Sequence, residues 1–493
     1  MAEYILGIDI GTSACKIAVF DKSGEIIATE TGAYKVYYPK EGFVEQKPFE
    51  WWTVICDTVK SVITRGNINP SDIKAVGIDG QSWSAIMLDK NGEIIFDNPI
   101  WMDTRSAEIC EELKCSVGEK AIFDVCGNPI APTYTSPKLI WFKRNYPEIY
   151  NKTHKVLQSN SYIVYKLTGQ ISQDLSQCYG FHFFDMRKRQ WNIELAKEMG
   201  IDINLLPDIS NCHDIVGEVT GEAANLTGLL EGTPVVAGGL DAACGTLGAG
   251  VIDDGQTQEQ GGQSGGMSIC LEKYKSHEKL IMCSHVVPGR WLLQGGTVGG
   301  GGSFKWLKEN FFKDINFAEM DTLAASTPCG ADGLVFLPYM AGERSPIWDA
   351  KAKGVFYGID YSKNRGHFIR AVMEGVAYSL LHNTKTAEEA DSFINIMYST
   401  GGSANSDVWT QIKSDVTNMP IGVPSSDTST TLGAALLAGV AVGIYSDFHD
   451  AVKNSVSIKK TYNPNAENHE IYKKGYKIYL EIYENLKNTM RKI

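Results

Sequence analysis

Two Gly-Ser turns, far apart in the chain, are each held between short apolar strands. Ile5 to Ile10 runs into Gly11-Thr12-Ser13 and leaves through Ile17 to Phe20, while Gln260 leads into Gly262-Gln263-Ser264-Gly265 and leaves through Met267 to Leu271. A turn of this kind bares backbone N–H groups and hydroxyls that can hold phosphate oxygens. Two in one chain suggest an internal duplication, and facing each other they would grip a nucleotide from both sides.

With 493 residues and 43% hydrophobic content, the chain has material for two globular domains. A net charge of −12 and no clustered Lys or Arg argue against a nucleic-acid partner and for small-molecule ligands. The 11 cysteines include no C-x-x-C pair, so neither a zinc site nor a disulfide framework is indicated. The chain enters a strand almost at once, and no stretch reaches the roughly 20 apolar residues of a membrane span. A soluble cytoplasmic protein with reduced thiols and no membrane partner is the expectation.

Strand, turn, strand, turn, strand describes the opening, with Asp21-Lys22-Ser23-Gly24 as the second turn. A helix follows from about Pro48 to Gly66, with Trp51, Ile55, Val59 and Val62 on one face, and then a strand from Ala75 to Ile78. Residues 128–210, rich in aromatics and polar loops, read as an insertion capping the first domain. A strand from Pro234 to Ala237 precedes Asp241 and a small-residue helix over 242–249, which places the domain boundary between 249 and 250. Residues 250–493 repeat the pattern: hairpins around Gly262 and Arg290, a helix from Ser303, and a strand from Ile394 to Ser399 ending in Gly401-Gly402. Tyr472, Tyr476, Tyr479 and Tyr483 share a helical face, which reads as core packing. The expected fold is α/β, with two related domains closing on ATP across a cleft in the actin-like ATPase manner.

Asp9 beside the first turn can position a hydrated Mg²⁺, which keeps most of its waters and needs only one carboxylate; an ordinary hairpin is the alternative. Asp241, at the C-terminal end of a buried strand, is placed either to accept a proton from an alcohol or to cap the helix behind it. The glycine runs 299–302 and 401–402 both precede helices, where missing side chains admit a phosphate or adenine to the backbone.

With these pieces placed, the chain resembles the FGGY carbohydrate kinases over nearly its whole length. The most specific match is Gly354-x-Phe356-x-Gly358-Ile359, seven residues, then His367-Phe368-x-x-Ala371-Val372-Met373-Glu374, the family's C-terminal signature. Thr135-x-x-Lys138-Leu139-x-Trp141 with Arg144-Asn145 resembles the N-terminal signature, apart from Thr133 at its first position. Gly333 to Asp349, Gly238 to Gly250 and Gly401 to Gln411 are similar to family stretches as well.

The resemblance implies ribonuclease-H-like domains, an N-terminal one that binds sugar and a C-terminal one that binds nucleotide. It implies Asp241 as catalytic base, Asp9, Gly11, Thr12 and Ser13 for Mg-ATP, with Asp9 nearest the metal, and Gly262, Gln263 and Ser264 as the second phosphate loop. Gly301, Gly401, Gly402 and Asn405 would line the nucleotide cleft. Many members of the family are dimers, so a homodimer is implied by analogy.

Xylulokinases and gluconokinases are the most similar members. Gln81-Ser82-Trp83 occupies the place of a sugar-contact motif, and Asp103 lies in the place of a second one, W-N-D-G-R, here Trp101-Met102-Asp103-Thr104-Arg105. Trp83 stands where xylulokinases have His, Ala242 where they have Asn, Gln263 where Thr is usual, and Asp79 where a small residue is usual. D-xylulose leads as the expected sugar, with gluconate or another polyol or ketose as the alternative; Arg105 is the one cation the motifs place near an acid substrate, with a surface ion pair as its equal alternative. A non-catalytic ATP switch or a sugar sensor is the alternative from another class.

Overall fold

The computed structural model describes residues 3–492. Alternation of buried apolar residues makes the opening segment a set of strands: β1 (Tyr4–Ile10) and β2 (Ala14–Phe20) pair antiparallel, and β3 (Ile26–Ala33) extends the ribbon. The turn between β2 and β3 is closed by the Asp21 carboxylate, which accepts from the amides of Ser23 and Glu25. Strand β4 (Ile73–Gly80) lies parallel to β1, and β5 (Ile215–Glu218) and β6 (Pro234–Val236) complete the order β5-β6-β4-β1-β2-β3, with the short strand Gly239–Leu240 also pairing with β4.

The second sheet repeats this topology. Strands β7 (Gln256–Gly261), β8 (Gly265–Leu271), β9 (Ile281–Ser284), β10 (Trp291–Thr297), β11 (Ile396–Thr400), β12 (Ile421–Pro424) and β13 (Ile458–Tyr462) are ordered β9-β10-β8-β7-β11-β12-β13. In both sheets an antiparallel hairpin is joined edge to edge, through its first strand, to a parallel strand further along the chain. Strand β9 is the extra element of the second copy.

Helix α1 (Pro48–Arg65) buries Trp51, Ile55 and Val59 against Leu6, Ile8 and Ile10 of β1 on one face of the first sheet. The opposite face is covered from far along the chain, by α2 (Ser429–Ala441). Its approach is set by glycine: a Cβ on Gly7 would stand 2.3 Å from the carbonyl oxygen of Thr431, and one on Gly77 would stand 1.8 Å from that of Ala434. The expected cap over 128–210 has a core of its own, with Leu139, Phe142, Phe181 and Phe183 buried, yet its helix Ser159–Thr168 also packs on β4. Tyr472, Tyr479 and Tyr483 are buried in the C-terminal helix, as core packing requires. Among the described residues no helix is long and apolar enough to cross a membrane.

Candidate active site

Strand alternation aims the carboxylates. Leu6, Ile8 and Ile10 face α1, so Gly7 and Asp9 face the other way; Val76 and Ile78 likewise leave Gly77 and Asp79 on that second side. Asp9 and Asp79 are directly paired in the parallel register. Among the described residues no hydrogen-bond donor reaches either oxygen of the buried Asp79. Burial holds the Asp79 carboxyl well above its ordinary range, and the neighbouring Asp9 and Asp241 add to the effect. Burial also raises Asp9 to about 6, against the lowering influence of Asp79 and Lys16.

Asp241 is the first residue of the helix Asp241–Gly248, one position inside the cap, which is Leu240. Its carboxylate accepts from the Ala242 amide at 2.6 Å, the one hydrogen bond it makes, so it does not cap the helix in the usual way. Burial raises it to about 7, with the Asp9 charge contributing. Asp9 and Asp241 line one cavity of about 510 Å³ together with Gly11, Ser82, Trp83, Tyr179, Gly262, Ser264, Arg344 and Gly401.

Both Gly-Ser turns present free amides to the region. In the first, Gly11 N–H bonds Ala14 O at 3.1 Å, while the amides of Thr12 and Ser13 bond nothing among the described residues. Tyr34 Oη holds the Gly11 carbonyl at 2.5 Å, Gln46 Nε2 the Thr12 carbonyl at 2.8 Å, and Trp101 Nε1 the Thr12 hydroxyl at 2.9 Å. In the second, Gly301 N–H and Gly302 N–H occupy the carbonyls of Gly262 and Gln263 at 2.8 and 2.9 Å. The amides of Gly262, Gln263 and Ser264 are left without a partner among the described residues. Unpaired amides on two facing turns fit phosphate oxygens.

A second cavity, of about 570 Å³, opens from the same turn and is lined by Gly262, Gln263, Gly301, Gly402, Asn405, Phe304, Phe317 and Trp409. Its aromatic walls suit a nucleobase. The turn is braced from below by Lys413, whose buried ammonium donates to Glu259 Oε1 at 2.8 Å and to Ser403 Oγ at 2.6 Å.

The remaining expected sugar residues divide. Trp83 lines the cleft with a positive φ of 59° and stacks on Tyr134 at 4.2 Å; its buried Nε1 has no partner. Ser82 Oγ accepts from Tyr179 Oη at 2.8 Å. Gln81 and Asp103 lie behind the cavity wall: Gln81 Nε2 donates to Gln46 Oε1 at 2.7 Å, and Asp103 takes hydrogen bonds from Val44 N and, in a fork, from Arg105 Nε and Nη2. Arg105 is buried there between Asp103 and Glu45, stacked 4.0 Å from the Phe43 ring, and is not among the residues lining the cavity. Buried Lys138 donates to the carbonyls of Trp83 and Ile100, fixing the loop that carries Trp83.

Sequence reasoning did not find Tyr34, Gln46, Tyr179, Phe317 or Arg344. Arg344 was visible only as part of the stretch from Gly333 to Asp349.

A family profile described as the N-terminal domain of the FGGY family of carbohydrate kinases matches residues 4–248, and the corresponding C-terminal profile matches 269–442. A xylulose kinase of Staphylococcus epidermidis is 33% identical over 487 residues, covering 98% of this chain and 97% of that protein. A gluconokinase of Bacillus licheniformis is 30% identical over 506 residues, covering 100% of this chain and 98% of that one. Among solved structures, a ligand-bound xylulose kinase from Lactobacillus acidophilus superposes with a TM-score of 0.93 at 26% identity, covering 99% of both chains. A gluconate kinase from the same organism gives 0.92 at 26% identity, covering 99% of this chain and 98% of that one.

Proposed function

Because the chain belongs to the FGGY family of carbohydrate kinases, and is therefore a sugar phosphotransferase that uses ATP, we propose that it converts D-xylulose to D-xylulose 5-phosphate. The observation that carries the reading is the meeting, in one cavity, of the Asp241 carboxylate with two glycine turns, most of whose amides have no partner among the described residues.

In this reading the base and ribose lie in the aromatic cavity and the phosphates pass over Gly262 to Ser264 into the cleft. Residues 1–249 bind the sugar and residues 250–493 the nucleotide. Asp241 accepts the proton of the attacking hydroxyl, work worth about 10²- to 10⁴-fold in rate. Trp83 and Tyr179 offer faces and polar tips to the sugar, and closure of the lobes excludes water as a competing acceptor.

Magnesium suits the site because the Asp9 carboxylate lines the cavity together with Gly11 of the first turn. Mg²⁺ keeps most of its waters and needs few protein ligands. Asp9 would hold it. When bound, it would supply positive charge to neutralise the phosphates. A cytoplasmic location and a homodimer complete the proposal, both by analogy with the family.

The test is a coupled ADP-release screen over pentuloses, hexuloses, pentitols, tetritols, glycerol and aldonic acids. Fastest turnover with D-xylulose supports the reading; fastest turnover with gluconate moves the chain to the gluconokinase-like group. ATP hydrolysis indifferent to every sugar would point to a switch, and sugar binding without turnover to a sensor. Asp241→Ala is expected to abolish sugar-dependent ADP release while nucleotide affinity stays within about twofold; an active variant would remove the base assignment.

A further inference from the structure

Arg344 is the one cationic side chain among the residues lining the cleft cavity that contains Asp9 and Asp241. Its backbone is fixed from both sides. Glu343 Oε1 accepts from the amides of Val298 and Arg344 at 2.7 Å each, and Ser345 N–H donates to the Gly296 carbonyl at 3.0 Å. The amides of Ile347 and Trp348 both reach the Arg344 carbonyl, at 2.8 and 2.6 Å. The side chain then lies over Gly296, where a Cβ would stand 3.1 Å from the guanidinium carbon, so the glycine leaves it room to enter the cleft.

No carboxylate lies within ion-pair distance of this guanidinium among the described residues; its one hydrogen bond is a long contact from Nη2 to the Thr297 carbonyl at 3.4 Å. Two other buried arginines are held by carboxylates: Arg105 by Asp103 and Glu45, and Arg370 by Glu374, with Tyr472 beside it. A half-buried guanidinium that lines the cavity with most of its donors unused is free to meet an anion there. Tyr179, on the sugar side of the cavity, and Gly266, on the strand leaving the second glycine turn, line the cavity with it. Arg344 therefore shares one cavity with the second glycine turn and with Tyr179.

We propose that Arg344 donates to the equatorial oxygens of the phosphoryl group in transit and holds it again on the newly formed sugar phosphate. The inference rests on the phosphotransfer reading above. A bond forms between the γ-phosphorus and the sugar oxygen as the bond to the β,γ-bridging oxygen breaks; the hydroxyl proton passes to Asp241 and the electron pair leaves with ADP. The charge that spreads over the three remaining oxygens is what a planar, forked cation is shaped to meet.

The experiment compares wild type with Arg344→Gln and Arg344→Lys, using whichever sugar of the screen the wild type turns over fastest, so that the identity of the sugar and the role of the arginine are read separately. Expected for Arg344→Gln is a fall in kcat of about 10²-fold or more with KM for sugar and for ATP nearly unchanged, and a smaller fall for Arg344→Lys, which keeps the charge and loses the fork. Calorimetric titration of the sugar phosphate, a readout independent of turnover, should show at least about tenfold weaker binding to Arg344→Gln, with binding of the unphosphorylated sugar unaltered. Circular dichroism melting monitors the fold of both variants. Unchanged kcat, or a rise in KM for a neutral sugar at constant kcat, would overturn the proposal. A loss confined to aldonic acids would also overturn it, because the arginine would then read a substrate carboxylate.

Discussion

Asp79 is a residue the fold tolerates at a cost. Its carboxyl is fully buried, has no donor on either oxygen among the described residues, and faces Asp9 across a parallel pair of strands. Burial raises its folded pKa well above the unfolded value, so the native state holds a proton that the unfolded chain releases, and stability falls as pH climbs from about 4 towards the raised value. Asp79→Asn keeps the shape and removes the ionisation. Without added metal it should leave the melting temperature unchanged near pH 4 and raise it by about 2–4 °C for each kcal/mol recovered at pH 8. Equal melting shifts at both pH values would contradict this account. Asp241 titrates in the opposite functional sense: raised to about 7, it becomes a competent base only as pH rises. The pH profile of kcat/KM should therefore fall on the acid side with a midpoint at or below about 7, moving lower as a cation beside Asp9 offsets the charge that helps raise it. A profile flat to pH 5 would exclude Asp241 as the proton acceptor. That Asp9 and Asp241 would lie at strand ends facing one cavity could be read from the sequence because each sits at the end of a short apolar run. Arg344 could not, because only the fold removes its counter-ions.

Elements explain why the same substitution can have two outcomes. Gly77→Ala drives a Cβ to 1.8 Å from the Ala434 carbonyl oxygen, where the two backbones cannot both remain, and should cost about 3 kcal/mol or leave the protein insoluble. Gly262→Ala places its Cβ 3.6 Å from the nearest atom, the Ser264 carbonyl oxygen, so melting should be nearly unchanged while the methyl crowds the phosphate turn and raises KM for ATP by about tenfold. Thermal melting and ATP titration of the pair check both; a destabilised Gly262→Ala would assign that glycine to the fold alone. The contrast also marks what local sequence discloses. Hairpins at Gly11 and Gly262, the amphipathic helix from Pro48 and the tyrosine face near the C-terminus follow from short-range patterning, and the structure contains them. The docking of Ser429–Ala441 on the first sheet has no such local sign, because a helix of small residues offers no polar face to compare with an apolar one. Gln81 and Asp103, expected at the sugar, point into buried networks with Gln46 and Arg105 and do not line the cavity.

Across the whole molecule, α2 connects the two halves. It lies on the first sheet and against the helix Asp241–Gly248, where Gly433 and Gly248 admit backbone contact from Cys244 and Ser429 respectively, so the helix carrying Asp241 is clasped by the C-terminal half. The cleft beside it is acidic: Asp9, Asp241 and Asp427 line it and Asp79 lies behind, against the single cation Arg344, in a chain whose net charge is −12. ATP brings up to four further negative charges into that field. Two like charges about 4 Å apart repel by roughly 1 kcal/mol in water and about 4 kcal/mol at the effective dielectric of a protein surface, while a tenfold change in affinity needs only about 1.4 kcal/mol. Free ATP should accordingly bind at least about tenfold more weakly than ATP with Mg²⁺. Neutralising Asp9 as Asp9→Asn should narrow that gap by improving the binding of free ATP, even as it abolishes turnover. Calorimetry with and without chelator on both proteins decides it. Equal affinities for free and magnesium-bound ATP in the wild type would mean that the glycine-turn amides and Arg344 already balance the phosphates, and that the cation serves the chemical step alone.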